Sequence, residues 1–145
     1  MKLQKNTALA LYSVLEFAGD PERYVPAAEI ADKYGVSSHH LAKVLAELAR
    51  SGIVESVRGA GGGYRFVGNA RRLTLMDIID MFEEIAPQAP ERGLATPVDA
   101  ALGAVLAEID ENAKATFRSI TIATMLQLVA RQQAAAAAVS GAPSR

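Results

Sequence analysis

The nineteen residues AAEIADKYGVSSHHLAKVL, Ala27 to Leu45, constrain this chain more than any other stretch. Gly35 interrupts two helical patterns and can take the left-handed backbone of a sharp turn. Ala31, four residues earlier, is small enough to lie where two helices cross closely. Val36, Leu41 and Val44 follow at offsets that carry both helices into one core. A small residue, a glycine and apolar residues at these offsets are what a tight, near-perpendicular helix pair requires.

The neighbouring segments extend this pair into a larger pattern. Leu3 to Ala18 is rich in good helix formers and reads as a first helix, ended by GDPERYVP with its two prolines. The second member of the pair runs from Ser38 to Ser51, with Ser37 or Ser38 as its N-cap. Leu41, Val44, Leu45 and Leu48 form its apolar stripe, and Gly52 stops it. IVESV and YRFVG then alternate apolar and polar residues around RGAGGG, which predicts a two-stranded hairpin. Leu73 to Ile85 reads as a helix capped by Thr74, with Asp77 three residues on as its acidic partner. Three helices, a hairpin and a further helix in this order define a winged helix-turn-helix. The predicted fold is mainly α with one small β-hairpin.

The glycine-rich turn decides what the protein touches. A dinucleotide fingerprint needs a third glycine where Tyr64 stands, and a P-loop needs Gly-Lys-Ser/Thr at the start of a helix. Both also need an α/β setting that this pattern lacks. No acid, base or nucleophile accompanies the loop, so an enzyme that uses it for a nucleotide is disfavoured and no catalytic residue is assigned. The turn instead reads as a wing tip that brings backbone close to duplex DNA, with Arg58 and Arg65 supplying charge. The recognition helix would present its first turns to base edges, through Ser38, His39, His40 and Lys43. Gly59, Gly61 and Tyr64 complete the expected DNA-binding set. One of the two histidines is expected to be half-buried against the wing. Adjacent histidines converge poorly on one ion, so no metal site is assigned.

Charge supports this reading once its distribution is considered. The net charge is −1, but residues 1–72 carry 10 basic and 7 acidic side chains, and residues 37–72 carry 6 and 2. A local basic patch is what a nucleic-acid reader needs, and it weighs against a winged helix that binds only other proteins.

Beyond the winged helix lies APQAPERGLATP, a proline-rich linker. Val98, Leu102, Val105, Ile109 and Phe117 then fall on one stripe of a long amphipathic helix. The winged helix already has a core, so this stripe is expected to pair with its copy in a second subunit. A further helix begins near Thr121. The expected organisation is 1–85 winged helix-turn-helix, 86–97 linker, 98–133 dimerisation helices and 134–145 disordered tail. The apolar run Ala8 to Ala18 is interrupted by Glu16 and lacks a cleavage context, so the expected location is cytoplasmic, with no membrane association.

The segments MKLQKNTALAL, YGVSSHHLAKVLAELARSGIVESVRGAGGGYRF, LTLMDII and SITIATML together resemble the Rrf-two family of bacterial winged-helix regulators. VESVRGAGGGY carries the resemblance most specifically. It implies a homodimeric transcription regulator, expected to be a repressor, that binds a pseudo-palindromic operator in double-stranded DNA and dimerises through a long helix. Family members that bind an iron–sulfur cluster carry three cysteines around the linker, and some use an acidic ligand near the start of the first helix. This chain has no cysteine, and the matching helix position is Ala8. The family's DNA-binding half therefore carries over, its cluster does not, and no cofactor is expected. An unknown small-molecule or protein effector is expected to act near Leu94, Leu102 and Leu106.

Overall fold

A computed structural model describes residues 3–83 and 96–141. Helix α1 (Lys5–Gly19) leads to α2 (Ala27–Tyr34) and α3 (Ser38–Arg50). Strands β1 (Val54–Val57) and β2 (Gly63–Phe66) form the hairpin, and α4 (Leu75–Phe82), α5 (Pro97–Ser119) and α6 (Ile122–Ser140) follow.

The helix pair forms for the reasons its spacing suggests. Gly35 sits at φ +63° and ends α2, while Ala31 is buried. Ser37 is the N-cap of α3, and its hydroxyl accepts a hydrogen bond from the His40 amide at 3.1 Å. Leu41, Val44, Leu45 and Leu48 are buried on one side of α3. They join Leu9, Val14 and Phe17 of α1 and Ile30 of α2 in a single core. Thr74 and Asp77 form the expected reciprocal cap at the start of α4. The first turn of α1 has no side-chain cap of its own. Glu83, just beyond α4, serves it from a distance, accepting from the Gln4 amide at 3.0 Å and the Thr7 hydroxyl at 2.9 Å. A carboxylate there also suits the positive end of the helix dipole.

The hairpin is antiparallel, with Val54 opposite Phe66 and Glu55 opposite Arg65. It has a third partner that the sequence pattern did not show. Val25, in the connection between α1 and α2, exchanges two backbone hydrogen bonds with Tyr64, each 2.8 Å. Gly63 makes this approach possible. It sits at φ +150°, and a Cβ there would lie 2.4 Å from the Val25 carbonyl oxygen.

The C-terminal half departs from expectation in three places. Pro97 is already the first residue of α5 and Thr96 its N-cap, so the linker expected over 86–97 yields its last two residues to the helix; its remainder, 86–95, lies outside the described residues. Phe117 leaves the expected dimerisation stripe and packs half-buried against the winged-helix core, with Ile120, Met125 and Leu126. Ile122 is fully buried in that core, so the segment around 117–126 belongs to the winged helix as much as to any dimerisation unit. The tail expected to fray from 134 is helical as far as Ser140, because Ala134 to Ala138 are the strongest helix formers and simply continue α6.

Gly63→Ala is expected to destabilise the fold by about 1–3 kcal/mol, since it strains the backbone and pushes against Val25. Urea unfolding measures the loss, and faster hydrogen exchange at the Val25 and Tyr64 amides would place it at the wing root.

Candidate nucleic-acid interface

The surface of α3 is sorted by its core stripe. With Leu41, Val44, Leu45 and Leu48 turned inward, Ser38, His39, Ala42 and Lys43 are exposed. Ser38, His39, Ala42 and Lys43 thus form the open first turns of the helix that follows the tight turn, where recognition helices meet base edges. His40 differs from its neighbour. It is half-buried beside a hollow lined also by Asn6, Val44 and Phe82, and its Nε2 is buried without a hydrogen-bond partner among the described residues. The expected half-buried histidine therefore exists, but it packs toward α1 and α4 rather than toward the wing.

The wing divides its expected residues in the same way. Arg58, Gly59 and Gly61 are exposed at the tip, and both glycines have positive φ. No ion pair among the described residues involves Lys43 or Arg58. Tyr64, expected to touch DNA, instead turns its ring inward and stacks on Phe17 with centroids 6.0 Å apart. The strand alternation explains this: Tyr64 and buried Phe66 lie on one face of β2, and Arg65 lies on the other.

Arg65 is not a free cation. Its guanidinium donates to Glu55 Oε1 at 2.6 Å and lies over the Tyr24 ring, 4.9 Å from the centroid. The Tyr24 hydroxyl donates to the same Glu55 oxygen at 2.9 Å. These bonds, from Tyr24 first and Arg65 second, hold the Glu55 carboxyl below the usual carboxylate range. The Tyr24 phenol is correspondingly raised by its bond to that carboxylate. The triad was not legible in the sequence because its members lie 10 and 31 residues apart and meet only when Val25 docks on the wing.

The described residues contain no group of three or more histidine, cysteine, aspartate or glutamate side chains placed to hold a metal ion. No described helix is long and apolar enough to cross a membrane.

A tight helix pair followed by a three-partner basic wing defines the class of winged helix-turn-helix transcription regulators. The chain belongs to the Rrf2 (Rrf-two) family, whose model, described as an iron-dependent transcriptional regulator, matches residues 3–128. Over 130 residues it is 49% identical to a Rhodopseudomonas palustris protein named as HTH-type transcriptional regulator BadM, covering 89% of this chain and 83% of that one. Its fold is similar to that of CymR, the global cysteine regulator of B. subtilis, with a TM-score of 0.72 and 24% identity over 88% of this chain and 98% of that one. It is also similar to IscR of T. potens, with a TM-score of 0.66 and 26% identity over 89% and 88% of the two chains. The family and these relatives are regulators, not enzymes.

The iron in the family's description finds no matching donor set among the described residues. The chain has no thiolate, and its two histidines both lie on α3, His39 exposed and His40 half-buried beside the hollow that Asn6 and Phe82 also line. The residues present do not fit a cysteine-held iron–sulfur cluster.

Arg58→Ala is expected to weaken DNA binding by about 1–3 kcal/mol if the side chain reaches a base edge, while leaving the thermal unfolding midpoint unchanged, as befits an exposed side chain. Titration of the variant against a bound duplex checks both halves of that statement.

Proposed function

We propose that this protein is a homodimeric repressor that reads a pseudo-palindromic operator through α3 and the wing, without an iron–sulfur cluster. Ser38, His39 and Lys43 are the base- and phosphate-contacting residues of α3. Arg58, with the backbone of Gly59 and Gly61, is the part of the wing that enters or spans a groove. His40 supports the reading turn from behind, since its ring is half-buried. The protein acts in the cytoplasm, where its DNA target resides.

The observation that carries the dimer is the surface of α5. None of its 23 residues is buried. Val98, Leu102, Val105 and Ile109 are 74%, 56%, 53% and 56% exposed, at spacings of four, three and four residues. A helix that leaves such a stripe in water within one chain is stabilised when a second copy covers it. The two reading helices of such a dimer must then lie one turn of DNA apart, about 34–36 Å. A signal that rotates the paired α5 helices would break that register, and an effector need only prefer one placement. Leu102 and Leu106, both exposed on α5, are the described residues where such an effector would act; Leu94 lies outside the described residues.

Two outcomes test this reading. Affinity for duplex DNA is expected to fall steeply with salt, with a log–log slope near −7 if each subunit neutralises about four phosphates. A slope near zero would remove DNA as the partner. Val105→Asp, which places a charge in the middle of the stripe, is expected to convert a species of twice the 15.3 kDa chain mass into monomer and to abolish operator binding. Light scattering reads the mass, and a variant that remains dimeric would move the interface elsewhere.

A further inference from the structure

The wing carries two arginines, and the structure treats them oppositely. Arg58 stands exposed at the base of the tip, whereas Arg65 is half-buried and held by partners on its own hairpin and on the α1–α2 connection. Glu55 is directly opposite Arg65 in the strand register, which is the closest placement two strands offer. Tyr24 adds an aromatic face over the guanidinium and a hydroxyl on the carboxylate. This arrangement rests on main chain rather than on loose side chains, because Val25 and Tyr64 are locked by two backbone bonds. The Arg65 Nε is buried without a hydrogen-bond partner among the described residues.

Such a triad contributes little to stability, since Glu55 and Arg65 are 42% and 32% exposed and partly solvated ion pairs are screened. Only a cation that neutralises a phosphate releases a counterion, and a cation already neutralised by a carboxylate does not. We propose that Glu55 is a specificity-setting residue that holds Arg65 out of the phosphate contacts, with Tyr24 as the residue that positions both, so that Arg58 alone carries the charge of the wing onto DNA. The consequence is lower affinity for DNA of any sequence, and thus a greater share of binding left to the base-reading turns of α3. This rests on the DNA-binding reading above.

The test uses the full-length protein and a duplex of arbitrary sequence. Glu55→Gln keeps the shape and an acceptor for Tyr24 but removes the charge. It is expected to raise affinity about tenfold per subunit near 0.1 M salt and to steepen the log–log salt slope by about 0.9 per subunit. The double variant Glu55→Gln/Arg65→Gln is expected to return the slope to that of the natural protein, a result that a purely structural role of Glu55 would not produce. Arg65→Lys, which keeps the cation but loses the flat fork under Tyr24, is expected to steepen the slope as well. An unchanged slope in Glu55→Gln and Arg65→Lys overturns the proposal. So does a steeper slope that survives in the double variant, because the gain would then belong to Glu55 alone. A natural protein that binds no duplex would instead overturn the DNA-binding reading along with it, which separates the two failures.

Discussion

The position of the long exposed helix depends on one short backbone clamp. The Leu75 amide donates to the Ile120 carbonyl at 2.9 Å, and the Ile122 amide donates to the Leu73 carbonyl at 2.8 Å. Thr74 and Thr121 lie between these bonds and face each other as a single antiparallel bridge. Each of them is also a helix N-cap, of α4 and α6. An N-cap residue has extended backbone by necessity, so two caps brought side by side can pair as strands do. With Ile122 buried beneath it and Phe117 packed nearby, this clamp fixes the end of α5 to the winged helix. A helix with no buried residue of its own would otherwise have no defined direction.

A second bridge does the same for the wing. Hairpins of two strands are marginal alone, and this one gains a third partner in Val25. The docking depends on the absence of a side chain at Gly63 and brings Tyr24 over the outer face of the hairpin. Packing and electrostatics are thereby coupled: the contact that stiffens the wing root also neutralises one of its two arginines. The basic residues of the region 37–72 are therefore not equivalent. Arg50 pairs with Glu47 and Arg65 with Glu55, while Lys43 and Arg58 have no ion partner among the described residues.

Several features were legible because they are local. The left-handed turn at Gly35, the Ser37 cap, the buried stripe of α3, the hairpin and the Thr74–Asp77 capping box each depend on residues within a few positions of one another. The exposed stripe of α5 was legible for the same reason, since helical period alone decides which residues share a face. Misplaced features depended on contacts across the chain. Phe117 continues the α5 stripe in spacing, yet the clamp at Thr74–Thr121 draws it into the core. Tyr64 looked like a DNA contact beside Arg65, yet strand alternation sends neighbouring side chains to opposite faces, and Phe17 takes its ring.

The sequence by itself determined the element types of the winged helix, the order that makes it a winged helix-turn-helix, the family, and the lack of thiolates to hold a cluster. These follow from periodicity, capping and residue chemistry, which act over a turn of helix or a pair of strands. Only the tertiary structure decided which cations remain available, which histidine is half-buried, and how α5 is tied to the winged helix. Those outcomes depend on Glu55 meeting Tyr24 from 31 residues away, His40 lying beside Asn6 and Phe82, and Thr121 pairing with Thr74. Charge neutralisation and burial are set by distance in space, and distance in space is what a linear pattern of residues does not contain.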